Sequence, residues 1–190
     1  MKKFFFIAMM LMLGVSVMAQ QKIQLRSADK AECVKSDMTG LKASFSFSAI
    51  DAQEYQSERG TFSWISLPNT VIGGNEGDPQ IPVVNELIAV PFGATPSIRV
   101  TSYSTTDYRL EDYGIRTLVP RQPSLRKDQR PEDVHFVMNV AAYQTRGFRS
   151  EPMATIHVMG TMRGVQLGKM TIEPVSYDPV SNTIRVFNDI

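Results

Sequence analysis

Residues 42–50 alternate with period two: Ala43, Phe45, Phe47 and Ala49 fall on one side, Ser44, Ser46 and Ser48 on the other. An extended strand points successive side chains to opposite faces, whereas a helix would scatter the two rings around its circumference. The stretch therefore predicts a half-buried β-strand. Residues 61–67 place Phe62 and Trp64 on one face and Ile65 and Leu67 on the other. With both faces apolar, that strand is expected inside a sandwich.

Shorter apolar segments follow at turn-separated intervals. Ile23 and Leu25 suit a short first strand, and residues 86–91 a short buried one. Residues 97–104 alternate through Ile98 and Val100, and residues 107–112 read as a polar strand or turn ending at Gly114. Further strands are expected at 115–119, 134–140, 154–159, 164–175 (bent near Gly168) and 183–187, with a turn-rich connection at 177–182. No amphipathic stretch of three helical turns is present. The pattern predicts an all-β, antiparallel sandwich or jelly-roll-like single domain with long loops.

The glycines and prolines of residues 73–82 cannot sit inside a helix or central strand, so a structural turn is expected there. The turn lacks the lysine and Ser/Thr of a phosphate-binding loop, and no helix follows it. At the other end, Met1-Lys2-Lys3, the apolar residues 4–15 and Val17-Met18-Ala19 have the layout of a secretory signal peptide, cleaved between Ala19 and Gln20. The expected organisation is a signal peptide over 1–19, a polar segment over 20–40 and the domain over 41–190. Because Ile190 directly follows a strand, the chain reads as a fragment of a longer precursor.

Chemistry on the chain itself finds little support. Twenty basic residues against nineteen acidic ones, interspersed, argue against nucleic acid or, after signal removal, a membrane as partner. Cys33 is the single cysteine, so packing rather than disulfides must hold the domain, and neither His135 nor His157 is placed as its catalytic partner. Both histidines read as strand-surface residues without the second ligand a metal would need. Trp64 suits a core strand better than a sugar-stacking platform. Asp51, Glu54, Glu58, Asp107, Glu111 and Asp112 read as solvated carboxylates. No nucleophile–base pairing, metal spacing or cofactor fingerprint appears, so neither an enzyme nor a cofactor is expected.

Residues 120–133 stand apart: three prolines, four basic residues, no periodicity, and Leu125 as the only large apolar side chain. Held between the strands expected at 115–119 and 134–140, this loop carries Arg126 and Lys127 at its middle. Such a loop can present a cation to a partner, though composition alone suits a solvated connection better.

Residues 76–82 (EGDPQIP), 87–96 (LIAVPFGATP), 160–164 (GTMRG) and 177–180 (YDPV) together resemble the N-terminal prodomain of the gingipain family of cysteine proteases, its lysine-specific branch nearest. The similarity runs in one register from about Lys42 to Ile190. The resemblance implies an all-β prodomain that assists folding of the protease it precedes and keeps it latent. It also implies export through the periplasm to the surface of a Gram-negative bacterium. In that family a loop residue of the prodomain enters the specificity pocket of the cognate protease. By register against residues 131–134 it falls on Lys127, flanked by Leu125, Arg126 and Asp128, with the processing site after Lys127. Arg126 would serve an arginine-specific partner instead, and Arg121 and Arg130 widen the choice. A different class of function, a surface module binding carbohydrate or protein through Trp64 and Tyr103, would require an exposed aromatic cluster remote from the basic loop.

Overall fold

The computed structural model describes residues 21–37, 39–130, 134–149 and 153–190. The expected signal peptide, with Ala19 and Gln20 at its cleavage site, lies outside them. The described strands are β1 (Gln21–Gln24), β2 (Lys30–Asp37), β3 (Gly40–Ser46), β4 (Ala49–Ser57), β5 (Gly60–Ser66), β6 (Val71–Ile72), β7 (Pro82–Val90), β8 (Ser104–Arg109), β9 (Ala154–Met162), β10 (Val165–Ile172), β11 (Val175–Asp178) and β12 (Thr183–Asn188). Among the described residues, helical structure is confined to a 3-10 turn at Leu110–Tyr113 and a five-residue helix, α1 (Val140–Gln144). The strands pair antiparallel in the orders β1-β4-β5, β6-β7-β10-β9, β11-β12-β8 and β2-β3. The antiparallel all-β fold expected from the sequence is the fold observed, divided among several short sheets.

One core joins these sheets. Ile50, Leu110, Leu118 and Ile184 are fully buried, and Ile23, Phe45, Phe47, Val175 and Val186 pack in the same cluster. Full burial of each such side chain stabilises the fold by about 1.5–3 kcal/mol. The core also holds a satisfied polar group. The Tyr177 hydroxyl donates to Asn182 Oδ1 at 2.8 Å and accepts the Leu118 N–H at 3.4 Å. Burial pushes that phenol up to about 12, so it stays a neutral donor at physiological pH.

The alternation at 42–50 does put Phe45, Phe47 and Ala49 inside, but it crosses a corner. β3 pairs with β2, whereas β4 lies between β1 and β5. At the corner Phe45 exchanges backbone hydrogen bonds of 2.9 Å with Ile190. The Asn188 side chain then replaces a strand partner: it accepts the Phe47 N–H at 2.8 Å and donates to the Phe47 carbonyl at 2.9 Å. Residues 61–67 bury Phe62, Ser63, Ile65 and Leu67, as expected of an interior strand, with Trp64 half-buried. The expected bend near Gly168 is a register shift between Leu167 and Gly168. A β-carbon on Gly168 would come within 2.9 Å of Val90 Cγ2, so the close approach of β7 requires glycine there.

Several expected strands differ. β2 is exposed throughout, so its sequence carries no apolar face to mark it. β7 is longer than expected, but only its first three residues and Val90 are buried. Residues 97–103 form no strand: Ile98 packs against the core while the backbone finds no ladder partner, and pairing begins at Ser104. Residues 115–119 bury Ile115, Leu118 and Val119 yet make only an isolated parallel bridge, Leu118 to Ser63. Residues 134–139 are irregular and lead into α1, whose start is capped by Asn139 Oδ1 accepting from Ala142 N–H at 3.4 Å. Alternation reports one sheltered face; a strand also needs a neighbour for its amides.

Candidate functional site

The glycine-rich turn after β6 fastens both ends of the basic loop. On the incoming side, Gly77 N–H donates to the Arg121 carbonyl, Arg121 N–H to the Asp78 carbonyl and Gln80 N–H to the Val119 carbonyl, each at 2.8 Å. The Arg121 guanidinium also donates to the Gly74 carbonyl. On the outgoing side, Asn139 N–H donates to the Gly77 carbonyl at 2.9 Å, and Asn139 Nδ2 to the Asp78 carboxylate at 2.8 Å. Gly77 has φ +83°, and a β-carbon there would meet Asn139 N at 3.0 Å, so a side chain would push the two segments apart. Asp78 is buried, and Arg149 and Asn75 also reach its carboxylate, at 3.5 Å and 3.3 Å. The turn expected at 73–82 is structural, and its work is to hold this loop.

Gln122 closes the neck. Its side chain accepts the Val137 N–H at 3.0 Å and donates to the Val137 carbonyl at 2.9 Å and to Pro120's at 2.8 Å. Phe136 packs on Phe62 with ring centroids 5.7 Å apart. Beyond the neck the chain turns at Arg126–Gln129: Gln129 N–H donates to the Arg126 carbonyl, and Arg126 N–H to Gln129 Oε1, both at 3.1 Å. Lys127 and Asp128 occupy the corner of this turn, and Leu125, Arg126, Lys127 and Asp128 are all exposed. Among the described residues, no hydrogen bond or ion pair engages the Lys127 ammonium. The sequence brings the four residues together as expected, but the loop's C-terminal flank is irregular chain fastened by side chains rather than a strand.

Gln122, Asp78 and Asn139 are absent from the sequence reading because each acts across the fold on backbone groups. The other candidates lie apart. Cys33 sits on exposed β2, and His135 and His157 are exposed. Trp64 lines a groove with Tyr55, Ile72 and Pro123 at the loop's base, whereas Tyr103 lies edge-on to Phe187 at 5.6 Å. Neither gives an exposed aromatic cluster remote from the loop.

An exposed, partnerless cation on a loop closed at its neck can enter a pocket carrying a carboxylate. Closure limits the conformations lost on binding, which lowers the ordering cost. Gln122→Ala is therefore expected to leave the melting temperature nearly unchanged. The same change should speed limited proteolysis of the loop by trypsin several-fold, because two of the three bonds are exposed to water and the set together contributes only about 1 kcal/mol. Unchanged cleavage rates would show that the backbone clasp alone sets the loop.

The Propeptide_C25 family model matches residues 17–190. The chain is 41% identical over 181 residues to Lys-gingipain of Porphyromonas gingivalis, covering 94% of this chain and 10% of that protein. It is 22% identical over 179 residues to Gingipain R1 of the same organism, covering 94% and 18%. A solved structure concerned with the zymogenic latency of gingipain K from P. gingivalis has a TM-score of 0.84 at 40% identity, covering 90% of this chain and 95% of that one. A complex of the pro- and mature domains of RgpB has a TM-score of 0.71 at 17% identity, covering 83% and 80%, a likeness of fold alone. The chain thus spans about a tenth of the length of the Lys-gingipains it matches.

Proposed function

The chain belongs to the gingipain propeptide family and is not a catalytic domain, and on that ground we propose that it keeps a gingipain-like cysteine protease latent and assists its folding. The observation that carries this reading is Lys127, exposed and, among the described residues, without a partner at the corner of a loop fastened at both ends. A lysine-specific protease must offer a carboxylate deep in its specificity pocket, and Lys127 supplies the matching cation on a long stem. Leu125 and Arg126 precede it into the cleft, and the bond between Lys127 and Asp128 is the processing site. Arg126 is the substitute if the cognate enzyme prefers arginine. The lysine reading is favoured by the 41% identity to Lys-gingipain against 22% to Gingipain R1.

Residues 1–19 serve as a signal peptide in this reading, carrying the precursor to the periplasm and then to the cell surface or beyond. The test is an inhibition titration. Added to a lysine-specific gingipain-type catalytic domain, the unmodified chain without residues 1–19 is expected to abolish cleavage of a small lysyl substrate at stoichiometric amounts. A titration with no loss of activity at any ratio would overturn the proposal.

A further inference from the structure

The loop is not the only surface that must face such an enzyme. A groove of about 410 Å³ opens at its base, with Tyr55, Trp64, Ile72, Pro120 and Pro123 in its wall and Ser124 at its rim. Part of its apolar lining is open to solvent: Ile72 is 54% exposed and Tyr55 39%, and the neighbouring Val71 is 52% exposed, whereas Pro120 forms a buried floor. Ile72 and Val71 make up β6, an outer strand of its sheet with β7 as its one paired neighbour. Adjacent exposed apolar side chains beside a working loop are the usual signature of a contact surface.

Chain geometry limits what can cover it. Ser124 lies at the groove and Lys127 only three residues further, a span of at most about 11 Å for a fully extended chain. A partner that holds the Lys127 side chain in a pocket therefore has the wall of that pocket within reach of the groove. We propose that the Tyr55–Trp64–Ile72 groove is a second docking surface for the same protease domain, taking an apolar part of the wall on the side that receives residues preceding Lys127. This inference rests on the reading of Lys127 for its geometry, but its energy is separate: Tyr55, Trp64 and Ile72 stand on β4, β5 and β6 rather than on the loop, and their contacts add to affinity beside the lysine.

The experiment measures dissociation constants of the chain without residues 1–19 for a lysine-specific gingipain-type catalytic domain. Ile72→Asp and Tyr55→Ser are each made in the parent and in the Lys127→Ala background, with Leu87→Asp as a control. Leu87 is 66% exposed on β7 and does not line the groove, so all three changes fall on exposed side chains. Truncating a contact residue of this kind is expected to weaken binding by about ten-fold in both backgrounds. Leu87→Asp should change it less than two-fold. Equal affinity of the groove variants and their parents would overturn the inference, as would a loss for Leu87→Asp matching that for Ile72→Asp. If Lys127→Ala binds like the parent while Ile72→Asp weakens both, the groove stands and the role given to Lys127 falls.

Discussion

Replacing Lys127 by alanine is expected to weaken inhibition of a lysine-specific gingipain-type protease by roughly 30-fold or more. Leaving one charge buried without its partner across an interface costs about 2–5 kcal/mol, and each 1.4 kcal/mol is a factor of ten. The free chain should hardly register the change, because the ammonium is exposed and nothing in the described structure engages it. Its melting temperature should stay within a degree of the parent's. Lys127→Arg keeps the charge but replaces a compact ammonium by a wide planar fork, so it should restore only part of the affinity. Arg126→Ala removes a cation that faces outward from the same turn and should cost far less. Were Arg126→Ala the more damaging of the two, the residue read from register would be the wrong one, and an arginine-preferring partner would be indicated.

What the sequence makes legible is local. Phe45, Phe47 and Ala49 alternate because that side of the chain faces the core, although Ser46 and Ile50 on the other side are buried as well. Gly168 and the turn at 73–82 are visible because glycine and proline restrict the backbone wherever they stand. Arg126 and Lys127 are visible because their loop has no apolar periodicity and Leu125 as its only large apolar side chain. Long-range choices leave weaker traces. No pattern in 42–50 tells that β3 and β4 enter different sheets, since the period of two survives the corner. Residues 134–140 alternate like a strand, yet Phe136 packs on a ring and Val137 pairs with a glutamine side chain rather than with a ladder. β2 is invisible because an exposed strand needs only amide partners, which any sequence supplies. The groove was reachable only in part: Trp64 stood out, but Ile72 and Tyr55 meet it through the fold.

At the corner by Phe47, replacing a single uncharged side chain is expected to give a large loss of stability. Asn188 is buried at the end of β12, and its carboxamide serves both the N–H and the carbonyl of Phe47, itself buried. An amide is the side chain that donates and accepts at once in the spacing of a neighbouring strand. Asn188→Ala removes both bonds and leaves two backbone groups without partners away from water, each costing about 1–3 kcal/mol. A destabilisation of about 3 kcal/mol is expected, lowering the melting temperature by roughly 10 °C in a chain of this length. Asn188→Asp separates the two halves of the interaction. Its ionised carboxylate still accepts from Phe47 N–H but cannot donate to the carbonyl. It also sits beside Asp189, which hydrogen bonds from Ser46, Ser27 and Ser104 hold below its ordinary value and therefore charged. A protonated carboxyl both donates and accepts, so the folded state of this variant favours the proton. Its deficit relative to the parent should therefore narrow as pH falls toward the ordinary carboxylate range, and widen above it. Thermal unfolding of parent and both variants across pH 4–8 reads all three effects. An Asn188→Ala variant within about 0.5 kcal/mol of the parent, the usual scatter of inconsequential surface changes, would mean that water or a shifted strand serves Phe47 equally well.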